Sequence, residues 1–247
     1  QTILFLNRRG FSTFVSCRSC GYVPHCPNCN ISLTYHKFED KLKCHYCGYE
    51  RPNYKICPKC GSNYIRYFGG GTQKVEDELN RLFPNATTVR MDKIDILIGT
   101  QMVAKGLDFE NVTLVGVITA DTMLNINDYR SCERTFAMLE QVSGRAGRGS
   151  KEGRAVIQTY TPEHEAVSLV KSHNYRIFYD KEIAKRKLMW YPPFCKIVSV
   201  HFQGNVENIV AKTAKYFLNT AEKTQNISQK IQILGPVPSY ISKIKNK

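Results

Sequence analysis

Eight of the ten cysteines fall in four Cys-x-x-Cys pairs within the first quarter of the chain: Cys17/Cys20, Cys26/Cys29, Cys44/Cys47 and Cys57/Cys60. A two-residue gap repeated four times is ligand spacing rather than disulfide spacing, and nothing marks the chain as secreted. The pairs read CRSCG, CPNCN, CHYCG and CPKCG. A metal knuckle turns sharply after its second Cys, and Gly21, Asn30, Gly48 and Gly61 are the types that accept positive φ there. Four thiolates in tetrahedral geometry favour zinc, with iron as the minority alternative. The 14 residues between Cys29 and Cys44 approach zinc-ribbon spacing, with ISLTYHKFEDKLKC as a strand–turn–strand hairpin. Cys26, Cys29, Cys44 and Cys47 are therefore expected to share one ion, and Cys17, Cys20, Cys57 and Cys60 a second. Nesting is favoured because only 5 residues separate the first two pairs. The outer site then closes the base of an inserted subdomain. His25, His36 and His45 read as surface or packing residues, and Cys132 and Cys195 as small buried ones.

Two further segments could do chemistry. Gly99–Phe109, GTQMVAKGLDF, follows the strand-like IDILI. A polar, glycine-containing loop at the end of a parallel strand is where α/β sheets bind ligands. Gln141–Gly149, QVSGRAGRG, places Arg145 and Arg148 three residues apart beside three glycines. Arginines held there can reach a phosphoryl group and neutralise transition-state charge.

These segments sit in a chain of 247 residues with a formal net charge of +14. Hydrophobic residues make up 42% and charged ones 23%, enough for a core and against disorder. No apolar run approaches the roughly 18 residues of a membrane span. The N-terminus, QTILFLNRRG, does not read as a signal peptide. The charge points to a polyanionic partner, nucleic acid first.

The elements that must position these groups alternate in type. Residues 3–7 read as a buried strand, and GFSTFVS alternates into the cysteine region. YIRYF is a strand, and TQKVEDELNRLFP a helix with Val75, Leu79, Leu82 and Phe83 on one face. TTVRMD, KIDILIGT, TLVGVIT and GRAVIQTY read as strands, and 130–142 as a helix. EHEAVSLVKSH and YRIFYDKEIAKRKL are helices, and WYPPF is a rigid break. Beyond it, KIVSVHFQG reads as a strand, NVENIVAKTAKYFLNTAEKT as a helix and KIQILG as a strand. Strands alternating with helices from residue 64 onward indicate an α/β parallel sheet, with a small α/β module after Tyr191. TTVRMD passes into KIDILIGT without the crossover that parallel neighbours need. A segment is therefore expected to be missing between Asp92 and Lys93, leaving their Cα atoms more than about 3.8 Å apart. Upstream sequence is also expected, because the chain begins inside a strand.

Taken together, GTQMVAKGLDF and QVSGRAGRG resemble motifs V and VI of superfamily-2 helicases. LFLNRRGF resembles motif IV, and YFGGGTQKVEDEL the region after it. With the Cys₈ insertion directly after LFLNRRGF, the whole chain resembles the bacterial primosomal replication-restart helicase family, PriA (primosomal protein N′). The resemblance implies that residues 1–16 and 64–175 form the second RecA-like helicase lobe. It implies that residues 17–63 form an inserted two-zinc region, that 176–190 form a linker helix and that 191–247 form a C-terminal domain. It also implies an ATP-dependent 3′→5′ DNA helicase acting at stalled or branched forks in the bacterial cytoplasm, associated with the nucleoid. Implied partners are branched or single-stranded DNA, the single-stranded DNA-binding protein, other primosome proteins and the loader of the replicative helicase, with no membrane. Arg148 matches the arginine finger, Arg145 its companion and Gln141 the polar opener of motif VI. Gly106 and Asp108 belong to motif V, which touches nucleotide and DNA. Thr100, Gln101, Lys105, Arg8 and Arg9 are candidate contacts to a DNA backbone.

A helicase also needs a G-x₄-G-K-[ST] loop and an acidic Mg²⁺ site. Neither occurs here, and no Gly-Lys pair exists anywhere in the chain. ATP and Mg²⁺ are thus expected only in the full-length enzyme, and the isolated chain should be inactive. The alternative is a non-enzymatic zinc-ribbon module that binds DNA or protein. Charge is uneven: residues 17–63 carry net +4, 176–247 net +9 and the remaining lobe segments net +1.

Overall fold

The computed structural model describes residues 1–6, 14–36, 39–67, 72–84, 86, 95–99, 111–224 and 231–238. In chain order the strands of the first part are β1 (Thr2–Leu6), β2 (Val15–Cys17), β3 (Thr34–His36), β4 (Lys41–Lys43), β5 (Glu50–Pro52) and β6 (Ile65–Tyr67). Then come α1 (Thr72–Leu82), β7 (Ile96–Gly99), β8 (Leu114–Ile118), α2 (Asp121–Leu124), α3 (Ser131–Ser143) and β9 (Arg154–Ile157). A short α4 (Glu165–Ser168), a 3₁₀ turn (Val170–Ser172), α5 (Tyr175–Leu188) and α6 (Glu207–Thr224) complete the order.

A four-stranded sheet runs β7–β1–β8–β9, and every pairing in it is parallel. This is the α/β parallel core expected from the alternating pattern. β1 is central, with Ile3 opposite Leu97 on one side and Val115 on the other. Ile3, Phe5, Val115 and Val117 are buried. Helix α3 buries Phe136, Leu139 and Val142 in the same core. Their spacing of three puts them on one helical face. Phe136 stacks on Phe178 of α5 with centroids 4.1 Å apart, so α5 packs onto α3. Asn174 caps α5 by accepting from the Ile177 amide at 3.1 Å.

The insertion departs from this sheet through a narrow neck. β2 and β6 pair antiparallel, Cys17 opposite Ile65, so chain entry and exit lie side by side. Inside, β3, β4 and β5 form a three-stranded antiparallel sheet. The hairpin was legible as alternation around a turn. The third strand was not, because Glu-Arg-Pro carries no strand signal.

Several elements differ from the sequence reading. The helix expected over EHEAVSLVKSH is broken into α4 and the 3₁₀ turn, and His173 takes a left-handed φ of 49°. The short α2 gave no periodic signal. On α1, Val75 and Leu79 are half-buried, but Leu82 and Phe83 are more than half exposed. After the break at Tyr191, the expected strands over 196–204 and 231–235 are not paired into a ladder among the described residues; α6 is formed. A strand needs a neighbour to satisfy its backbone, and no described segment supplies one there. Cys132 and Cys195 are half-buried rather than buried. Cys132 sits against the core cluster at the start of α3, where burial pushes its thiol up to about 12. The Cys195 thiol donates to the Trp190 carbonyl at 2.8 Å. The junction of Asp92 and Lys93 lies outside the described residues.

Candidate metal centres

Each Cys-x-x-Cys pair folds into the same knuckle. The amide four residues after the first Cys donates back to its carbonyl: Gly21 to Cys17 at 2.9 Å, Asn30 to Cys26 at 2.8 Å, Gly48 to Cys44 at 3.0 Å and Gly61 to Cys57 at 2.9 Å. The first Cys amide then donates to the carbonyl five residues on, at Tyr22, Ile31, Tyr49 and Ser62. Closing that turn needs positive φ at the fifth residue, which reads 71°, 51°, 76° and 71° in order. Gly and Asn reach that region at least cost.

The four knuckles gather their sulfurs into two groups, Cys17/Cys20/Cys57/Cys60 and Cys26/Cys29/Cys44/Cys47, each with all Sγ atoms within 4.8 Å of one another. These are the nested sets expected from spacing. Sγ–Sγ distances are 3.6 Å for Cys17–Cys60, 3.7 Å for Cys20–Cys57 and 3.5 Å for Cys26–Cys47. A tetrahedral zinc ion with bonds of about 2.3 Å has sulfurs about 3.8 Å apart. The donor sets therefore fit zinc in size and in chemistry.

The thiol acidities differ within each set. Burial raises the Cys17 thiol, but the amides of Cys20 and Ser19 outweigh it and bring the group down to about 6. Burial likewise opposes Cys47, which the Tyr49 amide and the Asn28 side chain pull down to about 7. Burial pushes Cys44 up to about 11 and Cys29 higher still. Each group thus sets one lowered thiol, Cys17 or Cys47, beside raised ones, and a dication that displaces thiol protons would hold the sulfurs as thiolates. Asn28 donates to Cys47 Sγ at 3.6 Å, a supporting contact that the spacing argument did not reveal. His36 and His45 join neither group. Their Nε2 atoms lie 3.2 Å apart, and His45 Nδ1 lies 3.2 Å from the Pro238 carbonyl.

The two centres are joined to the sheet domain by different contacts. At the outer knuckle, Arg18 donates to the Tyr160 hydroxyl at 2.9 Å. A Cβ on Gly21 would lie 2.4 Å from Thr161 Cγ2 and 2.7 Å from the Tyr160 carbonyl oxygen, so only glycine fits. Asp121 holds that loop by accepting from the Tyr160 amide at 3.1 Å and from the Thr159 hydroxyl at 3.1 Å. At the inner centre, Ser32 donates to the Asn125 carbonyl at 2.7 Å and Asn127 to Thr34 at 3.3 Å. The Tyr191 hydroxyl donates to the Cys29 carbonyl at 2.6 Å, and its ring stacks on Tyr129 at 4.8 Å. Arg130 and Arg186 each lie 5.3 Å from the Tyr129 centroid. Asp121, Asn125 and Tyr129 had no place in the sequence reading, and Tyr191 stood there only as a boundary, because their partners lie tens of residues away.

The arginine segment forms a turn at the end of α3. Gly144 ends the helix, and the Arg145 amide donates to the Val142 carbonyl at 3.1 Å. The Gly147 amide donates to Val112 just ahead of β8 at 3.0 Å. A Cβ on Gly153 would lie 2.1 Å from the Gly147 nitrogen, so the two backbones cross in contact. Arg148 Nε donates to the Gly144 carbonyl at 3.0 Å. Gln141 and Arg148 are exposed and Arg145 is half-buried. Arg8, Arg9, Thr100, Gln101, Lys105, Gly106 and Asp108 lie outside the described residues.

Residues 26–52 match the PriA DNA helicase Cys-rich region (CRR) domain, and residues 187–247 match the primosomal protein N C-terminal domain. The match over 26–52 covers the inner cysteine set and, with the two four-sulfur groups, supports two zinc ions. The replication restart protein PriA of Bacillus subtilis is 48% identical over 100% of this chain, which covers 33% of that protein. Its Synechocystis counterpart is 45% identical over 100% of the chain and 32% of the protein. The Treponema pallidum protein is 38% identical over 99% of the chain and 40% of its own length. The chain thus spans about a third of the length of the first two relatives. The Bacillus alignment runs over 270 residues against 247 here, so that relative carries residues without a counterpart in this chain. Similarity along the whole chain and two domain matches in order place it in one family: the chain belongs to the PriA replication restart proteins and corresponds to a C-terminal portion of them.

Proposed function

We propose that the chain supplies the second motor lobe, the zinc region and the C-terminal domain of an ATP-dependent 3′→5′ DNA helicase. That enzyme recognises stalled or branched forks and restarts replication by primosome assembly. The observation that carries this reading is the Gln141–Arg145–Arg148 turn hung from a parallel sheet, within a chain similar to replication restart proteins throughout. The lobe comprises residues 1–16 and 64–175, the zinc region 17–63, the linker helix 176–190 and the C-terminal domain 191–247.

In this reading a partner lobe outside this chain binds ATP with Mg²⁺. Arg148 reaches the transferring phosphoryl group and offsets the charge that develops on it. Arg145, half-buried at the root of the same turn, supports that position, and Gln141 lies one helical turn earlier. Arg8, Arg9, Thr100, Gln101 and Lys105 track the DNA backbone, and Gly106 and Asp108 link nucleotide to DNA. The zinc and C-terminal regions, which carry most of the net charge, hold the fork and meet the single-stranded DNA-binding protein, other primosome proteins and the helicase loader. The protein works in the bacterial cytoplasm at the nucleoid. Among the described residues no helix is long and apolar enough to cross a membrane.

The test uses the full-length protein on forked DNA and matched RNA. Arg148→Ala is expected to lower DNA-stimulated ATP hydrolysis by about 10³- to 10⁵-fold while DNA binding persists. Hydrolysis at the parent rate in Arg148→Ala, or strand displacement on RNA in preference to DNA, would overturn the reading. Full-length protein that binds DNA but never hydrolyses ATP would establish the zinc-ribbon binding module instead. The 247-residue chain alone is expected to show negligible ATPase.

A further inference from the structure

We infer that the outer zinc module is a platform for single-stranded DNA and that the inner zinc module is not. This rests on the DNA-motor reading above and specifies which surface takes the strand, and by what chemistry.

Charge separates within the zinc region. The segments that build the outer module, 17–25 and 53–67, contain Arg18, Lys55, Lys59 and Arg66 and not one Asp or Glu. The inner segment, 26–52, contains four basic residues and all three acids of the region, Glu39, Asp40 and Glu50. Those acids are engaged locally. Lys41 pairs with Glu50 at 2.6 Å, Lys43 with Glu39 at 2.6 Å, and the Tyr35 hydroxyl donates to Asp40 at 3.0 Å. A zinc ion with four thiolates is net negative and equally so at both centres, so the surrounding side chains set the difference: their charge nearly cancels on the inner hairpin and is all positive on the outer module.

The positive groups of the outer module are interleaved with aromatic rings. β2 and β6 pair with Ser16 opposite Arg66, and the Arg18 amide continues that ladder to the Tyr64 carbonyl at 2.9 Å. Residues two apart on paired strands share a face, so Arg18, Tyr64 and Arg66 stand together. Tyr64 is 59% exposed and Tyr160, at the end of the same patch, 41%. The Arg66 guanidinium lies 5.9 Å from the Tyr64 centroid and that of Arg18 5.0 Å from Tyr160. The Ser19 and Ser62 hydroxyls meet at 2.9 Å beside them. Exposed rings flanked by arginines, with no carboxylate in the segments, suit a strand whose bases stack and whose phosphates are neutralised. In a duplex the base faces are already stacked, so these rings discriminate for unpaired DNA.

The test measures binding of the full-length protein to a labelled oligo-dT strand and to a duplex of equal length, with zinc content determined for every variant. Tyr64→Ala is expected to weaken oligo-dT binding about 5- to 150-fold, with two zinc ions retained and duplex binding unchanged. Tyr64→Phe, which keeps the ring, restores it. Arg18→Gln with Arg66→Gln lowers the salt slope by about 0.7 per arginine. Lys41→Gln with Lys43→Gln, on the inner hairpin, leaves oligo-dT binding at the parent level. Parent-like binding by both outer-module variants would overturn the inference, as would loss of oligo-dT binding in the inner-hairpin variant alone. A parent protein that does not bind oligo-dT would instead remove the DNA-motor reading on which it rests.

Discussion

The inner and outer cysteine clusters have the same four donors, the same knuckle backbone and nearly the same sulfur spacing, yet their surroundings are opposite. Three inner ligands, Cys26, Cys29 and Cys44, are buried among Val15, Ile31, Leu33, Tyr35 and Leu42. Tyr46 and Tyr129 pack against that cluster, and Tyr191 closes it from the far end of the chain. The outer cluster has two buried ligands, Cys17 and Cys57, while Cys20 is half-buried and Cys60 exposed. It sits at the neck, against one loop of the sheet domain, in segments that carry basic residues and no carboxylate. A ligand set thus determines which ion is held, and the packing around it determines what the ion is for. The inner centre staples a hydrophobic cluster that is too small to hold the segment alone. The outer centre stiffens an exposed surface.

The largest expected effect separates the two directly. Cys44→Ser should remove the inner zinc and unfold the zinc region, because structural zinc contributes on the order of 10 kcal/mol to such a segment. Cys60→Ser should remove the outer zinc alone, leaving the inner core protected in amide exchange. Equal loss of protection in both variants would erase the distinction. A chelator titration sharpens it further, since the outer ion, behind one exposed sulfur, should leave first.

Leu42→Ala tests the inner packing without touching a ligand. Leu42 is 0% exposed, and the truncation should cost about 2–5 kcal/mol by urea denaturation. Asp128 tests the anchor beside it. Burial raises its carboxyl, but hydrogen bonds from Arg130 and the Arg134 charge outweigh that and hold it below the ordinary range. A depressed carboxylate stabilises the fold above its unfolded value of about 3.9 and loses that contribution as pH falls through the folded value. Asp128→Asn should therefore cost roughly 1–2 kcal/mol at neutral pH, and its urea midpoint should converge on the parent's in acid. The smallest effect is Tyr191→Phe, which deletes only the bond to the Cys29 carbonyl. A loss of about 1 kcal/mol in the inner region, with the outer zinc unaffected, is the expected reading.

Much of this architecture was legible because its signals are local. The knuckles announce themselves through the Cys spacing and the Gly or Asn that follows. β1, β8 and α3 show as short apolar runs and a three-spaced apolar face. What was missed is short or dependent on distant partners. α2 has four residues and no period to detect. β5, Glu-Arg-Pro, exists because β4 offers an edge. The strand-like KIVSVHFQG has the right composition but no strand partner among the described residues, although Phe202 packs against Phe217 of α6 at 5.5 Å. Leu82 and Phe83 follow the helical period of α1 yet remain largely exposed.

The sequence by itself determined the chemistry: eight sulfurs in two nested sets, two arginines in a glycine-flanked turn and a net charge concentrated outside the sheet domain. Those properties depend on residue type and short-range spacing, which a linear reading preserves. Only the tertiary structure decided which cluster is buried, which arginines stand beside which rings and how Asp121, Tyr129 and Tyr191 fasten the insertion to the sheet. Burial and cross-chain contact arise from segments far apart in the chain meeting in space, and no local pattern encodes that meeting.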